Sequence, residues 1–120
     1  MQLLYRKVTD ADAIIIGAPI YVSEMNAQTK LFIDRMYGLF KADLTPNIDG
    51  NKKFVFVFCH GMPDGSYAQY FDSVKNTFIR GGFDVAILSA GSVDALGEVR
   101  ERHDIINAAR KMGKRIATSR

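Results

Sequence analysis

The stretch Ala13 to Arg35, AIIIGAPIYVSEMNAQTKLFIDR, constrains the fold more than any other part of the chain. An apolar run ends in a Gly-Ala-Pro-Ile-Tyr turn, passes through a polar loop and continues as an amphipathic helix. An apolar run without alternation implies burial on both faces, as in a parallel strand covered by helices. Open α/β sheets receive ligands just beyond the C-terminal ends of such strands. One segment thus predicts both an architecture and a place for a ligand.

Two more runs repeat the pattern. Ala13 to Ala18, Phe54 to Cys59 and Val85 to Ala90 are short, continuous and rich in Ile, Val or Phe. Each has glycine at its turn: Gly17, then Gly61 and Gly65, then Gly91. Helical patterns separate them. From Ala27 to Phe40 the apolar positions are Leu31, Phe32, Met36, Leu39 and Phe40, and Asn26 is suited to cap the first turn. From Tyr67 to Arg80 the stripe is Phe71, Val74 and Phe78, and Gly81 and Gly82 end it. A last helix starts near His103 or Asp104, with an earlier start in Glu98 to Arg102 as the alternative. Its stripe is Ile105, Ile106, Ala109, Met112 and Ile116. Met1 to Val8 reads as the end of a helix, with Leu3, Leu4 and Val8 on one face. Lys41 to Lys53, carrying Pro46, Asn47, Asp49 and Gly50, reads as a surface connection. The alternation predicts the α/β class: a parallel three-stranded sheet with flanking helices and right-handed crossovers. At 120 residues the chain suits one domain spanning 1–120.

Composition removes several function classes. The single cysteine, Cys59, excludes an internal disulfide framework and a Cys-x-x-Cys site, and reads as a small buried apolar residue. The net charge of +3 is mild. Arg110, Lys111, Lys114, Arg115 and Arg120 read as a solvated helix face near a helix C-terminus rather than a nucleic-acid surface. No apolar stretch has the length of a membrane span and no leader is visible, so a cytoplasmic, soluble protein is expected. No metal-ligand cluster, catalytic triad or carboxylate pair emerges from the spacing, so no catalytic side chain is assigned. A lone histidine such as His60 is expected to be partly buried and hydrogen-bonded, and His103 to lie on the surface.

With these residues in view, the chain resembles the flavodoxin-like superfamily, and within it the NAD(P)H-dependent FMN reductase and iron-sulfur flavoprotein group. The resemblance is carried by Ala11-Asp12-Ala13-Ile14-Ile15-Ile16-Gly17-Ala18-Pro19-Ile20-Tyr21, then Met25-Asn26-Ala27-Gln28, Lys30 and Phe32-Ile33-Asp34-Arg35. A looser block runs from Ala95-Leu96-Gly97-Glu98 to Met112-Gly113-Lys114-Arg115-Ile116-Ala117. The resemblance implies the C-terminal part of a flavodoxin-like doubly wound fold that binds FMN at its C-terminal strand edge. The chain begins where that family enters its third strand, so the phosphate-binding loop has no counterpart. A single cysteine cannot hold an iron-sulfur cluster.

By this resemblance, Pro19, Ile20, Tyr21 and Val22 form a loop against the flavin ring, with Tyr21 stacked on it. Asn26 either caps its helix or reaches a polar ligand atom. His60, Gly61 and Gly65 stand at a second ring-facing turn. The implied function is an FMN-dependent NAD(P)H oxidoreductase passing electrons through bound FMN. The alternative is a non-catalytic half-domain, or a fragment, that oligomerises without flavin. Lacking the family's first strand, Ala13 to Ala18 is expected to be an uncovered edge, which predicts a homodimer paired along it.

Overall fold

In a computed structural model describing residues 2–118, the strand runs extend beyond their apolar cores. The elements are α1 (Gln2–Asp10), β1 (Ala13–Tyr21), β2 (Glu24–Met25), α2 (Ala27–Arg35), a 3-10 turn (Met36–Leu39), β3 (Lys53–Cys59), α3 (Ala68–Arg80), β4 (Asp84–Ala90), α4 (Glu98–Glu101) and α5 (His103–Thr118). Met1 and Arg120 lie outside the described residues.

The sheet order is β2-β1-β3-β4. β1, β3 and β4 are parallel, with Ile16, Phe56 and Ile87 in one row. The three-stranded expectation needs correction, because β2 adds a fourth, antiparallel strand through the pairs Ile20–Met25 and Tyr21–Glu24. The turn between them is Val22-Ser23, at φ 48° and 67°. Both left-handed angles match the tight hairpin that follows strand twist, a turn usually built from Asn and Gly. The sequence carries neither residue there, so the hairpin gave no local signal.

Alternation along the strands sorts the side chains into two faces. Ile16, Ala18 and Ile20 of β1, Phe54, Phe56 and Phe58 of β3 and Val85 of β4 form one buried layer with Val8, Phe71 and Phe78 from α1 and α3. The layer's centre is aromatic, where β3 meets α3. Phe58 stacks on Phe71 at 4.9 Å between centroids, and Phe56 meets Phe78 edge-on at the same distance. On the other face, Met112 and Ile116 of α5 close over Val55 and Ala86, leaving a cavity of about 20 Å³.

The second face is only half covered. Val55 is 3% exposed, whereas Ile15 of β1 is 64% exposed. Expected burial of β1 on both faces is therefore wrong: on this face α5 lies over β3 and β4, and no described helix covers Ile15 of β1. Cys59 is also exposed rather than buried, since it is the last residue of β3 at the sheet's end. Leu3 and Leu4 remain exposed, and Val8 alone of the expected α1 face is buried. On α5 the half-buried position is Ala108 rather than Ala109.

Candidate functional site

The three parallel strands finish together, at Pro19, Cys59 and Ala90. Beyond them lie the β1–β2 hairpin, segment 60–67 and segment 91–97. This is the edge at which sequence reasoning placed a ligand.

The hairpin presents Tyr21 and Val22 outward, at 64% and 99% exposure. A β-branched residue at φ 48° is a costly conformation, which persists where the surroundings fix it. The surroundings here are hydrogen bonds. The Asn26 N–H donates to Pro19 O at 3.3 Å, and the Met25 N–H donates to the Tyr70 hydroxyl of α3 at 3.0 Å. Burial is the leading cause that raises the Tyr70 phenol above its usual range, so it stays a neutral hydroxyl. Ile20 directs its side chain into the core at 7% exposure, beneath the hairpin rather than towards solvent.

Asn26 occupies the N-cap position of α2, yet its side chain makes no capping bond. Its Nδ2 donates to Gln28 Oε1 at 3.1 Å, and its Oδ1 is buried without a partner. The expected cap is thus replaced by a side-chain pair, leaving one orphan acceptor next to the hairpin.

His60 is 4% exposed, edge-on to Tyr67 at 4.8 Å. Neither ring nitrogen has a partner, contrary to the expected hydrogen-bonded histidine. Its backbone is fully used: the N–H donates to Ala90 O at 3.0 Å and the C=O accepts from the Val93 N–H at 3.2 Å. Gly61 is packed so closely that an added Cβ would stand 2.2 Å from Asp94 Oδ1. Gly65, at φ +84°, faces open space. Pro19, Tyr21, Val22, Gly61 and Gly65 therefore present surface at this edge, while the side chains of Ile20 and His60 lie beneath it.

Sequence reasoning missed the charged groups that knit the loops. Asp64 accepts from the Gly91 N–H at 2.7 Å and from Arg102 at 2.9 Å. These bonds, the Gly91 N–H first, hold its carboxyl below the usual range. Glu98 Oε2 accepts from the N–H groups of Asp94 and Ala95, which lowers its own carboxyl. Glu98 lies at capping-box spacing from Ala95, three residues before it, but the Ser or Thr of that motif is missing, so the sequence carried no signal for this contact. Among the described residues no group of acids, histidines and cysteines could hold a metal ion, and no helix is long and apolar enough to cross a membrane.

This edge carries three kinds of group that a planar, polar-edged ring system would contact. Tyr21 and Val22 offer exposed apolar surface, Asn26 Oδ1 is an unused acceptor, and the glycine-bearing segment 61–65 exposes backbone. No side chain caps the first turn of α2, which starts two residues after β2 ends, and the N–H groups of such a turn suit an anion.

Three parallel strands extended by a short antiparallel one, with helices on both faces and loops beyond the C-terminal strand ends, define a mixed α/β protein. The model of the NADPH-dependent FMN reductase family matches residues 1–85, and the chain belongs to that family. No curated protein matches it.

Proposed function

We propose that this chain is an FMN-dependent NAD(P)H oxidoreductase, passing electrons from a nicotinamide nucleotide through bound FMN. Membership of the reductase family supports the reading, and one observation carries it: an exposed tyrosine on a strained hairpin beside the glycine-bearing loop. FMN, when bound, supplies the hydride-accepting centre. The protein's task is then to hold and orient. Tyr21 lies against the ring face, Pro19 and Val22 border it, and Ile20 supports the hairpin from the core. Asn26, on turning out of its bond to Gln28, brings the now-buried Oδ1 to a ring N–H. The backbone at Gly61 and Gly65 approaches the polar edge, above the buried His60. No side chain is required as acid or base.

Titration of the purified protein with FMN, followed by quenching of flavin fluorescence, tests the reading. Tyr21→Ala is expected to weaken binding roughly tenfold, the equivalent of about 1.4 kcal/mol of ring contact. Failure of the wild-type chain to quench FMN fluorescence removes the oxidoreductase and leaves the non-catalytic reading.

The working form in this proposal is a homodimer. Positions 13–18 of β1 carry no charge and no proline, the usual protections of an edge strand. A groove of about 480 Å³ runs beside them, lined by Leu4, Val8, Ile14, Ile15 and Gly17 among others. Antiparallel pairing centred on Ile16 sets Ile15 opposite Gly17, where a Cβ would meet nothing within 4 Å. The mass in solution at micromolar concentration is expected to be twice that of the chain, and Ile15→Lys to return it to one. A monomeric wild type removes the dimer without touching the flavin reading.

A further inference from the structure

Segment 61–66 is exposed at every residue, and Met62, its largest apolar side chain, is 53% exposed. Burial therefore does little to hold it, and such segments sit at the low end of local stability. Its tethers are hydrogen bonds to the segment after β4. Asp64 Oδ1 accepts from the Gly91 N–H at 2.7 Å, Asp64 Oδ2 from Arg102 Nη2 at 2.9 Å, and Met62 O from the Ser92 N–H at 2.8 Å. Arg102 Nη1 donates to Gly91 O at 3.0 Å. Its Nε and Nη2 fork onto the two oxygens of Asp104, each at 3.0 Å. Both backbone polar groups of Gly91 are thus taken, one by Asp64 and one by Arg102.

The approach is also close in space. A Cβ on Gly91 would stand 2.6 Å from the Asp64 backbone nitrogen and 2.7 Å from Met62 O. Arg102 lies between α4 and α5, beyond the residues that the family model matches. The latch consequently joins a loop inside the matched residues to a segment outside them.

We infer that Arg102 is a positioning residue: with Asp64 it latches segment 61–66 onto Gly91 and sets how closely that loop's backbone meets the flavin ring. The inference rests on the FMN reading above. The planar guanidinium can serve Asp64, Asp104 and Gly91 O at once, which a lysine cannot. The charged groups facing Asp64 are Arg102 and, across it, Asp104. The lowered Asp64 carboxyl keeps the latch ionised at neutral pH. Its contribution is full above the unfolded carboxylate value and is lost as pH falls through the lower, folded one.

Two variants displace the loop by unrelated routes. Arg102→Met removes the guanidinium, and Gly91→Ala wedges a methyl group under Asp64 and Met62. FMN dissociation constants and amide hydrogen exchange at positions 91 and 92 are the two readouts. Each variant is expected to weaken FMN binding roughly tenfold, the loss of one charge-assisted contact, and to speed exchange at both amides. Arg102→Lys recovers part of the affinity at most. Should Arg102→Met fail to fold, Gly91→Ala and Asp64→Asn carry the test. Unchanged affinity and exchange in the folded variants overturn the latch while leaving the flavin reading standing. A wild type that takes up no FMN overturns the flavin reading and the positioning role together.

Discussion

Replacing Lys52 by methionine is expected to lower stability by about 2–4 kcal/mol, and with it the melting temperature by roughly 5–20 °C. Lys52 is 6% exposed, an unusual position for an ammonium group. Its Nζ donates to Thr9 O at 2.6 Å and to Ala11 O at 2.7 Å. Those carbonyls close the last turn of α1 and lead into β1, where the helix dipole favours a cation. Methionine keeps the stem and removes the donor, so two carbonyls lose their partner at once. α1 has few other anchors, chiefly Val8 and the Tyr5 hydroxyl donating to Arg35 O at 2.7 Å. Thermal unfolding measures the loss, and faster amide exchange confined to α1 identifies where it arises. An unchanged melting temperature would show that water replaces the ammonium at no cost.

Phe56→Ala is expected to cost still more, about 3–5 kcal/mol, since it empties the centre of the aromatic layer. Phe56 is 0% exposed and sits between Phe58, whose ring centroid is 5.8 Å away, and Phe78 on α3, at 4.9 Å. Domains of this size have about 5–15 kcal/mol in total, so the variant approaches the limit of folding. The effect reaches the ligand edge through packing. Phe58 lies next to Tyr70 at 6.4 Å, and the Tyr70 hydroxyl accepts the Met25 N–H that steadies the hairpin. Chemical denaturation of Phe56→Leu and Phe56→Ala, compared with the wild type, is expected to rank them by lost volume. Equal midpoints for all three would contradict a closely packed layer.

Much of this architecture could be read in the residues. β1, β3 and β4 contain the three apolar runs, and α3 ends where Gly81 and Gly82 end its stripe. These features follow from burial and local backbone preference, both written in short windows. What escaped is of another kind. The β2 hairpin turns on Val22 and Ser23, residues with no preference for left-handed backbone. Cys59 is exposed because of where the sheet stops, not because of its neighbours in sequence. Exposure of Ile15 depends on which helices cover which strands. The Asp64–Arg102 pair spans 38 residues, and Lys52 reaches back 43 to Thr9. At the candidate site, residue types and their loops were legible. Which side chains face solvent and which, like Ile20 and His60, go under the sheet end was settled by strand parity at the last residues.

Among the described residues both outer strands of the central trio, β1 and β4, have one unpaired side along most of their length. Joining like to like, β1 to β1, uses up that side in a closed pair and stops. Joining β1 of one molecule to β4 of the next leaves a fresh acceptor at each end and never stops. For the dimer proposed above, the acidic Asp84 at the start of β4 is a charge on the edge that only the open-ended mode would have to use. Sedimentation across a concentration series would separate a plateau at two chains from continuous growth.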